Sequence, residues 1–376
     1  MHLVNKRYLQ PGERIRVLIV DDSVVIRRLV MHALEEDASI EVVGVAANGV
    51  IALQRIAQFS PDVVTLDVEM PEMDGIETLR HIRRDFPQVR VIMFSTMTER
   101  GAEITLTALT AGADDYVTKA SNEGSLDRSL AKLRQELLPK LKQFFTFMRP
   151  APVPVPAIPP PSRLQPVTLP RPQPRVLAIG VSTGGPTALA AILPLLPASY
   201  PLPVLVVQHM PPLFTRFLAE RLNSLCALPV EEATDGAAVT GGKILIAPGD
   251  FHLRVCSREN GIRAVLDTSA PQNSCRPSVD VLFASVADVY AGDALGLILT
   301  GMGQDGLRGA GMLRARGATI IAQDEDSSVV WGMPGSVVNA GLADHVLPLD
   351  QMIPATLRLS GCLTGAFTGV PACPSR

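Results

Sequence analysis

Apolar positions along this chain fall into short runs separated by amphipathic stretches. In the first third, the runs lie at residues 17–20, 42–45, 63–66, 91–94 and 115–117. They have the length and β-branched content of buried strands. Residues 24–35, 49–58, 75–85, 103–111 and 125–138 carry the three-to-four-residue apolar spacing of helices instead. Such alternation predicts a parallel sheet with helices on both faces. The same pattern resumes at Arg175. Strands are expected at 176–181, 204–208, 242–246, 253–255, 263–266, 295–299 and 319–322, and helices at 184–195, 212–222, 279–289, 306–315 and 333–340. The strands at 253–255 and 263–266 form an antiparallel hairpin across Glu259-Asn260-Gly261. The chain is thus α/β, with two doubly wound parallel-sheet domains at 15–135 and 175–365.

Between them, at 136–174, the pattern breaks. From Pro150 to Pro174 nearly every second or third residue is proline. Such a segment forms neither helix nor ladder and reads as an extended, semi-rigid spacer. A passive tether is the simpler role; a docking surface that reports one domain's state to the other is the alternative. The last ten residues, with two prolines and a glycine, are expected to fray.

Composition narrows the classes. At 376 residues the chain exceeds one ordinary core, and 47% apolar with 19% charged residues describes a soluble globular protein. A net charge of −3, without a dense basic run, gives no footprint for nucleic acid. No apolar stretch approaches a membrane span, and the first residues lack a secretory h-region, so a cytoplasmic address is expected. Five scattered cysteines with no C-x-x-C read as free thiols.

Candidate chemistry gathers at strand ends. Val17-Leu18-Ile19-Val20 runs into Asp21-Asp22, and Val63-Val64-Thr65-Leu66 runs into Asp67. Carboxylates this close repel one another and favour a shared hard cation such as Mg²⁺. Ser95 ends the fourth strand and Lys119 follows the fifth. In an open parallel sheet, ligands bind at these carboxyl ends. Acids to hold metal, and a hydroxyl and an ammonium to bond a phosphoryl oxygen, therefore converge on one edge.

In the second domain, Gly180-Val181-Ser182-Thr183-Gly184 links a buried strand to a helix. It fits either a pyrophosphate cradle or a nucleophile elbow. The next strand ends in His209, where a dinucleotide fold wants an acid. Histidine suits general-base work near neutral pH. A third strand leads into Gly301-Met302-Gly303-Gln304-Asp305-Gly306. Alone, Asp305 would read as a helix N-cap. Beside Ser182 and His209 it can orient an imidazole. The order Ser, His, Asp differs from that of α/β-hydrolases. His252 is less clearly placed.

The first domain resembles a response-regulator receiver, a flavodoxin-like fold, through Asp21, Asp22, Asp67, Met70-Pro71-Glu72-Met73-Asp74-Gly75, Ser95 and Lys119. The resemblance implies Asp67 as phosphoacceptor. Mg²⁺ would sit on Asp21, Asp22, Asp67 and the Glu69 carbonyl. Ser95 and Lys119 would sense the phosphoryl group, and Tyr116 would change rotamer. Ala120 departs from the family's usual proline. The second domain, Rossmann-like, resembles the chemotaxis protein-glutamate methylesterases through Gln208-His209-Met210-Pro211-Pro212, Ala247-Pro248-Gly249, Cys275-Arg276-Pro277-Ser278-Val279-Asp280, Thr300-Gly301-Met302-Gly303 and Trp331-Gly332-Met333-Pro334. That implies a phosphorylation-activated serine-type esterase with Ser182, His209 and Asp305 catalytic and the Met302 N–H in an oxyanion hole. It would release methanol from chemoreceptor glutamyl esters, also deamidating receptor glutamines, and serve sensory adaptation. Expected partners are methylated chemoreceptor helices and a histidine kinase phosphodonor, with no nucleic acid and no membrane insertion. The expected state is a cytoplasmic monomer recruited to receptor arrays, with no cofactor in the catalytic domain. Rival readings are a receiver joined to a nucleotide-binding module or to a DNA-binding regulator.

Overall fold

Apolar runs without a polar face must pair side by side, and here they do so in two separate parallel sheets. The structure is a computed structural model and describes residues 7–10, 12–119, 126–147 and 173–362. The first unit comprises β1 (Arg7–Leu9), β2 (Ile15–Val20), α1 (Val24–Glu35), β3 (Ile40–Ala46), α2 (Gly49–Phe59) and β4 (Val63–Asp67). It continues with α3 (Gly75–Asp85), β5 (Arg90–Ser95), α4 (Glu99–Thr110), β6 (Asp115–Thr118), α5 (Leu126–Lys142) and β7 (Phe145–Phe147). Its five-stranded sheet has the order β3-β2-β4-β5-β6, all parallel. The order reverses between β2 and β4, which places Asp21, Asp22 and Asp67 at the switch point.

Helix starts are written into the sequence. Ser23, Asn48, Asp74 and Thr98 each accept the N–H of the third residue onward. Thr98 explains why α4 begins at Glu99 and not at the expected 103. At the other end of this unit, α5 runs past the boundary expected at 135 and carries Pro139 inside it. β7 then pairs in parallel with β1. The spacer at 148–172, Ala120 and the last residues lie outside the described residues.

The second unit opens with β8 (Val176–Val181), α6 (Gly185–Ile192), β9 (Val204–Gln208), α7 (Phe214–Leu225), β10 (Val230–Glu232) and β11 (Ile244–Ile246). The hairpin follows as β12 (His252–Arg258) and β13 (Gly261–Asp267), then α8 (Val279–Tyr290), β14 (Ala294–Ile298) and α9 (Leu307–Ala315). The unit closes with β15 (Thr319–Gln323), α10 (Met333–Asn339), β16 (His345–Leu347) and α11 (Leu349–Leu359). Seven parallel strands take the order β10-β11-β9-β8-β14-β15-β16. Here the switch lies between β8 and β14, so the turns after both strands open onto one crevice. β12 and β13 stand apart as the expected antiparallel pair, longer than the apolar runs suggested.

The two units share a core. One apolar cluster contains Leu106, Leu109 and Tyr116 of the first unit together with Leu189, Phe214 and Leu218 of the second. Across this contact α4 packs on α6 and α7. Thr187 Oγ1 donates to Leu109 O at 2.9 Å, and Arg216 pairs with Glu99 at 2.7 Å on the rim.

Candidate functional site

At the first switch point, one oxygen from each of Asp21, Asp22 and Asp67 lies within 4.8 Å of the others. Asp21 and Asp67 are buried and Asp22 is exposed, so the cluster opens to solvent on one side. Lys119 Nζ reaches Asp67 Oδ1 at 2.7 Å and Asp21 Oδ2 at 3.0 Å. The second contact lacks hydrogen-bond alignment, which leaves a buried Asp21 oxygen free for another ligand. Burial pushes the Asp67 carboxyl up to about 6; Lys119 pulls against this and the Asp21 charge adds to it. An acid so placed gains from a second cation. The residues present therefore fit a divalent metal held by oxygen donors. The Glu69 backbone N–H also pulls the Asp67 carboxyl down, which puts the Glu69 backbone beside the pocket.

Ser95 is not brought to these acids. Its hydroxyl donates to Gly101 O at 3.0 Å and accepts from Thr105 Oγ1 at 2.6 Å, both on α4. Tyr116 lies in the interface. Its ring stacks on Phe214 with centroids 5.0 Å apart and 11° between planes. Lys140 Nζ stands 4.6 Å from the same ring. Sequence patterning had no means of pairing Tyr116 with a ring in the other unit.

The second switch point builds a different site. Ser182 follows β8, and its backbone is fixed on three sides. Its N–H donates to Thr300 O at 3.0 Å, and its carbonyl accepts from Gly185 N at 2.8 Å and from Gln208 Nε2 at 3.0 Å. Gly184 supplies the turn with a φ of 77°. A Cβ on Gly185 would fall 1.9 Å from Gln208 Oε1. The strand-to-helix turn is thus as tight as a nucleophile elbow requires. A Cβ on Gly301 would fall 2.8 Å from Ser182 Cβ, so the turn carrying Met302 passes directly against the serine.

His209 follows β9, and its Nε2 lies 2.8 Å from Asp305 Oδ2. Asp305 does not cap its own helix, because α9 starts from Gly306. Its buried carboxylate instead accepts from Val279 N at 2.7 Å, Asp280 N at 3.2 Å, Ser278 Oγ at 2.8 Å and Asn273 Nδ2 at 2.9 Å. The N-terminus of α8 thus holds it ionised. Burial alone would raise its pKa, but these donors and His209 hold it at about 2. For the imidazole, burial opposes the charge. The Asp305 bond and a contact with Cys275 outweigh burial and hold its pKa above the ordinary value. Ser182, His209, Met302 and Asp305 all line one cavity of about 430 Å³. Cys275 and Ser278 lie in a motif that the sequence singled out without a role, and Asn273 escaped it; all three are on the irregular loop before α8, where no periodicity signals their contacts with His209 and Asp305. His252 is fully buried on β12, bonded to Ala270 O, and is not among the residues lining this cavity.

The first unit closes one wall of that cavity with Leu109, Asp115, Tyr116, Glu136 and Lys140. Thr183, next to the serine, donates to Asp115 Oδ2 at 3.1 Å. Gln143 Nε2 donates to the same oxygen at 2.9 Å.

Comparison with known proteins agrees with both halves. Residues 177–356 match the family model for the CheB methylesterase, and residues 17–131 match that for the response regulator receiver domain. A protein-glutamate methylesterase/protein-glutamine glutaminase of Trichodesmium erythraeum is 48% identical over 354 residues, covering 93% of this chain and 99% of its own. One from a Nocardioides species is 51% identical over 352 residues, covering 93% of this chain and 95% of its own. The crystal structure of the Thermotoga maritima CheB methylesterase catalytic domain has 45% identity and a TM-score of 0.48, covering 50% of this chain and 99% of that one.

Proposed function

Since this chain belongs to the protein-glutamate methylesterase/protein-glutamine glutaminase family, with a receiver domain ahead of its hydrolase domain, we propose that it is a phosphorylation-activated serine hydrolase of chemoreceptor glutamyl esters. The observation that carries this reading is the His209–Asp305 pair at 2.8 Å in one cavity with Ser182. With Nε2 committed to Asp305, the base nitrogen is Nδ1. It removes the Ser182 proton as the hydroxyl attacks the ester carbonyl of a methylated glutamate. The oxyanion that forms is received by the Met302 N–H, a kind of donor worth roughly 3–4 kcal/mol. His209 returns the proton to methanol, and water then releases the glutamate from Ser182 by the same steps. A receptor glutamine would react likewise, losing ammonia. No step draws on a catalytic-domain cofactor.

Asp67 is the proposed phosphoacceptor. Asp21, Asp22, Asp67 and the Glu69 carbonyl would hold Mg²⁺, which would offset charge during phosphoryl transfer from a histidine kinase. Lys119 is already on Asp67. Ser95 would have to turn from α4 to reach a phosphoryl oxygen. The first domain acts as a lid, since it walls the cavity and bonds Thr183. Phosphorylation would shift the population toward an open form. A first domain reaching past the expected limit of 135 to β7, a tether, and a second domain from 175 suit this arrangement, because Glu136, Lys140 and Gln143 of the lid lie beyond 135. No helix among the described residues is long and apolar enough to cross a membrane, which suits a cytoplasmic monomer that meets receptors at their arrays.

Methanol release from methylated receptor membranes tests the reading. The expected release rises with acetyl phosphate and Mg²⁺, loses that rise in Asp67→Ala and vanishes in Ser182→Ala. Undiminished release from Ser182→Ala would refute the serine mechanism.

A further inference from the structure

One side chain of the cavity has no part in this mechanism. Cys275 is a free thiol on a loop of over-determined shape. Gln272 and Cys275 exchange backbone hydrogen bonds of 3.0 and 2.8 Å. Between them, Asn273 and Ser274 take positive φ values of 52° and 62°, a region costly for side chains other than glycine. The Asn273 amide is tied as well, to Asp280 at 3.0 Å and Asp305 at 2.9 Å. The sulfur therefore has little freedom. It lies 3.6 Å from His209 Nδ1 and 3.4 Å from Asn273 O. Asp305 occupies Nε2, so Nδ1 is the nitrogen left for the nucleophile, and the sulfur stands at it. Among the described residues, the Ser182 hydroxyl makes no hydrogen bond to the ring.

We propose that Cys275 is a positioning residue for the hydrolysis, whose sulfur competes with the Ser182 hydroxyl for Nδ1 of His209 and parks the imidazole. This rests on the serine-hydrolase reading. The competition holds wherever the proton lies. A thiol donating to bare Nδ1 fills the lone pair that Ser182 needs. A ring N–H donating to sulfur leaves no lone pair at all. With the thiol proton directed to Asn273 O, the sulfur accepts from the ring N–H, and the contact joins Asp305 in keeping a proton on the ring. Its loss therefore lets the imidazole act as a base at lower pH. Asp250 and Arg276 face the same cavity from the hydrolase side, and Asp115, Tyr116, Glu136 and Lys140 from the receiver side. All six are common to wild type and variant, so their effects cancel in the comparison.

The test measures methanol release by the full-length protein with acetyl phosphate and Mg²⁺, over a pH series and a receptor-concentration series. Wild type is compared with Cys275→Ala, Cys275→Ser and His209→Gln. Freeing one weak hydrogen bond should raise the kcat of Cys275→Ala roughly three- to tenfold near neutral pH. KM should stay unchanged, and the acidic limb should move to lower pH. Cys275→Ser, whose shorter C–O bond lengthens the contact, should fall between. A Cys275→Ala protein that melts like wild type, with kcat and acidic limb unmoved or kcat lowered, overturns the proposal. If that variant does not fold, Cys275→Ser decides by the same criterion. Full activity in His209→Gln would instead refute the triad and the competition together. A silent His209→Gln beside unchanged cysteine variants refutes the competition alone.

Discussion

Asp305 gathers four donors besides the imidazole, and its substitution should show in two ways. In Asp305→Asn, the new amide donates to His209 Nε2 and moves the ring proton to Nδ1, where Ser182 needs a base. The kcat for methanol release should drop roughly a thousandfold or more. The second effect is on stability. In the fold this carboxyl sits at about 2, against about 3.9 in an unfolded chain. A depressed value contributes stability that is full above the unfolded pKa and lost as pH falls through the folded one. Melting temperatures of wild type should therefore decline between about pH 4 and pH 2, a slope that Asp305→Asn lacks. Asp67 has the opposite sign. Its value is raised to about 6 by burial, so the ionised form destabilises. Without metal, stability should fall as pH rises from about 4 to about 6, and Mg²⁺ should abolish that fall in a thermal scan. The strands whose ends carry Asp21, Asp67, Ser182 and His209 were legible in the sequence because their apolar runs are unmistakable. What their side chains touch was not, since the donors to Asp305 come from residues 273–280, an irregular loop whose path to that carboxylate only the fold reveals.

At the scale of elements, long periodic segments were legible, and of the three-residue strands only β11 was. Strands β1, β7, β10 and β16 have three residues each, too few for a period and, unlike the Ile-Leu-Ile of β11, without a wholly aliphatic run. Helix α11 was missed because Pro354 interrupts its pattern. Strand β8 sets the height of Ser182 through a contact that only packing reveals. A Cβ on Gly180 would fall 2.3 Å from a Val279 methyl, pressing β8 off α8. Gly180→Ala should cost about 1–3 kcal/mol by overpacking, read as a lower denaturation midpoint. Because Val279 N also holds Asp305, hydrolysis should fall beyond what the lost stability explains.

For the whole molecule, the bond from Asp115 to Thr183 joins the receiver to the residue beside the nucleophile. Asp115→Ala removes a charged acceptor shared by Thr183 and Gln143. Such bonds are worth enough to shift a closed-to-open balance roughly tenfold. Resting methanol release should rise by about that factor, while release in saturating acetyl phosphate changes little; equal resting rates would separate this bond from the lid. The apolar cluster that runs from Leu106, Leu109 and Tyr116 into Leu189, Phe214 and Leu218 has a calorimetric consequence. Two sheets that share buried surface cannot melt independently while they are joined. The resting protein should give a single endotherm, whose calorimetric and van't Hoff enthalpies agree for the chain as one unit. Opening the lid hydrates that surface, so the phosphorylated protein should resolve into two endotherms, and the gap between them measures how tightly the halves were coupled.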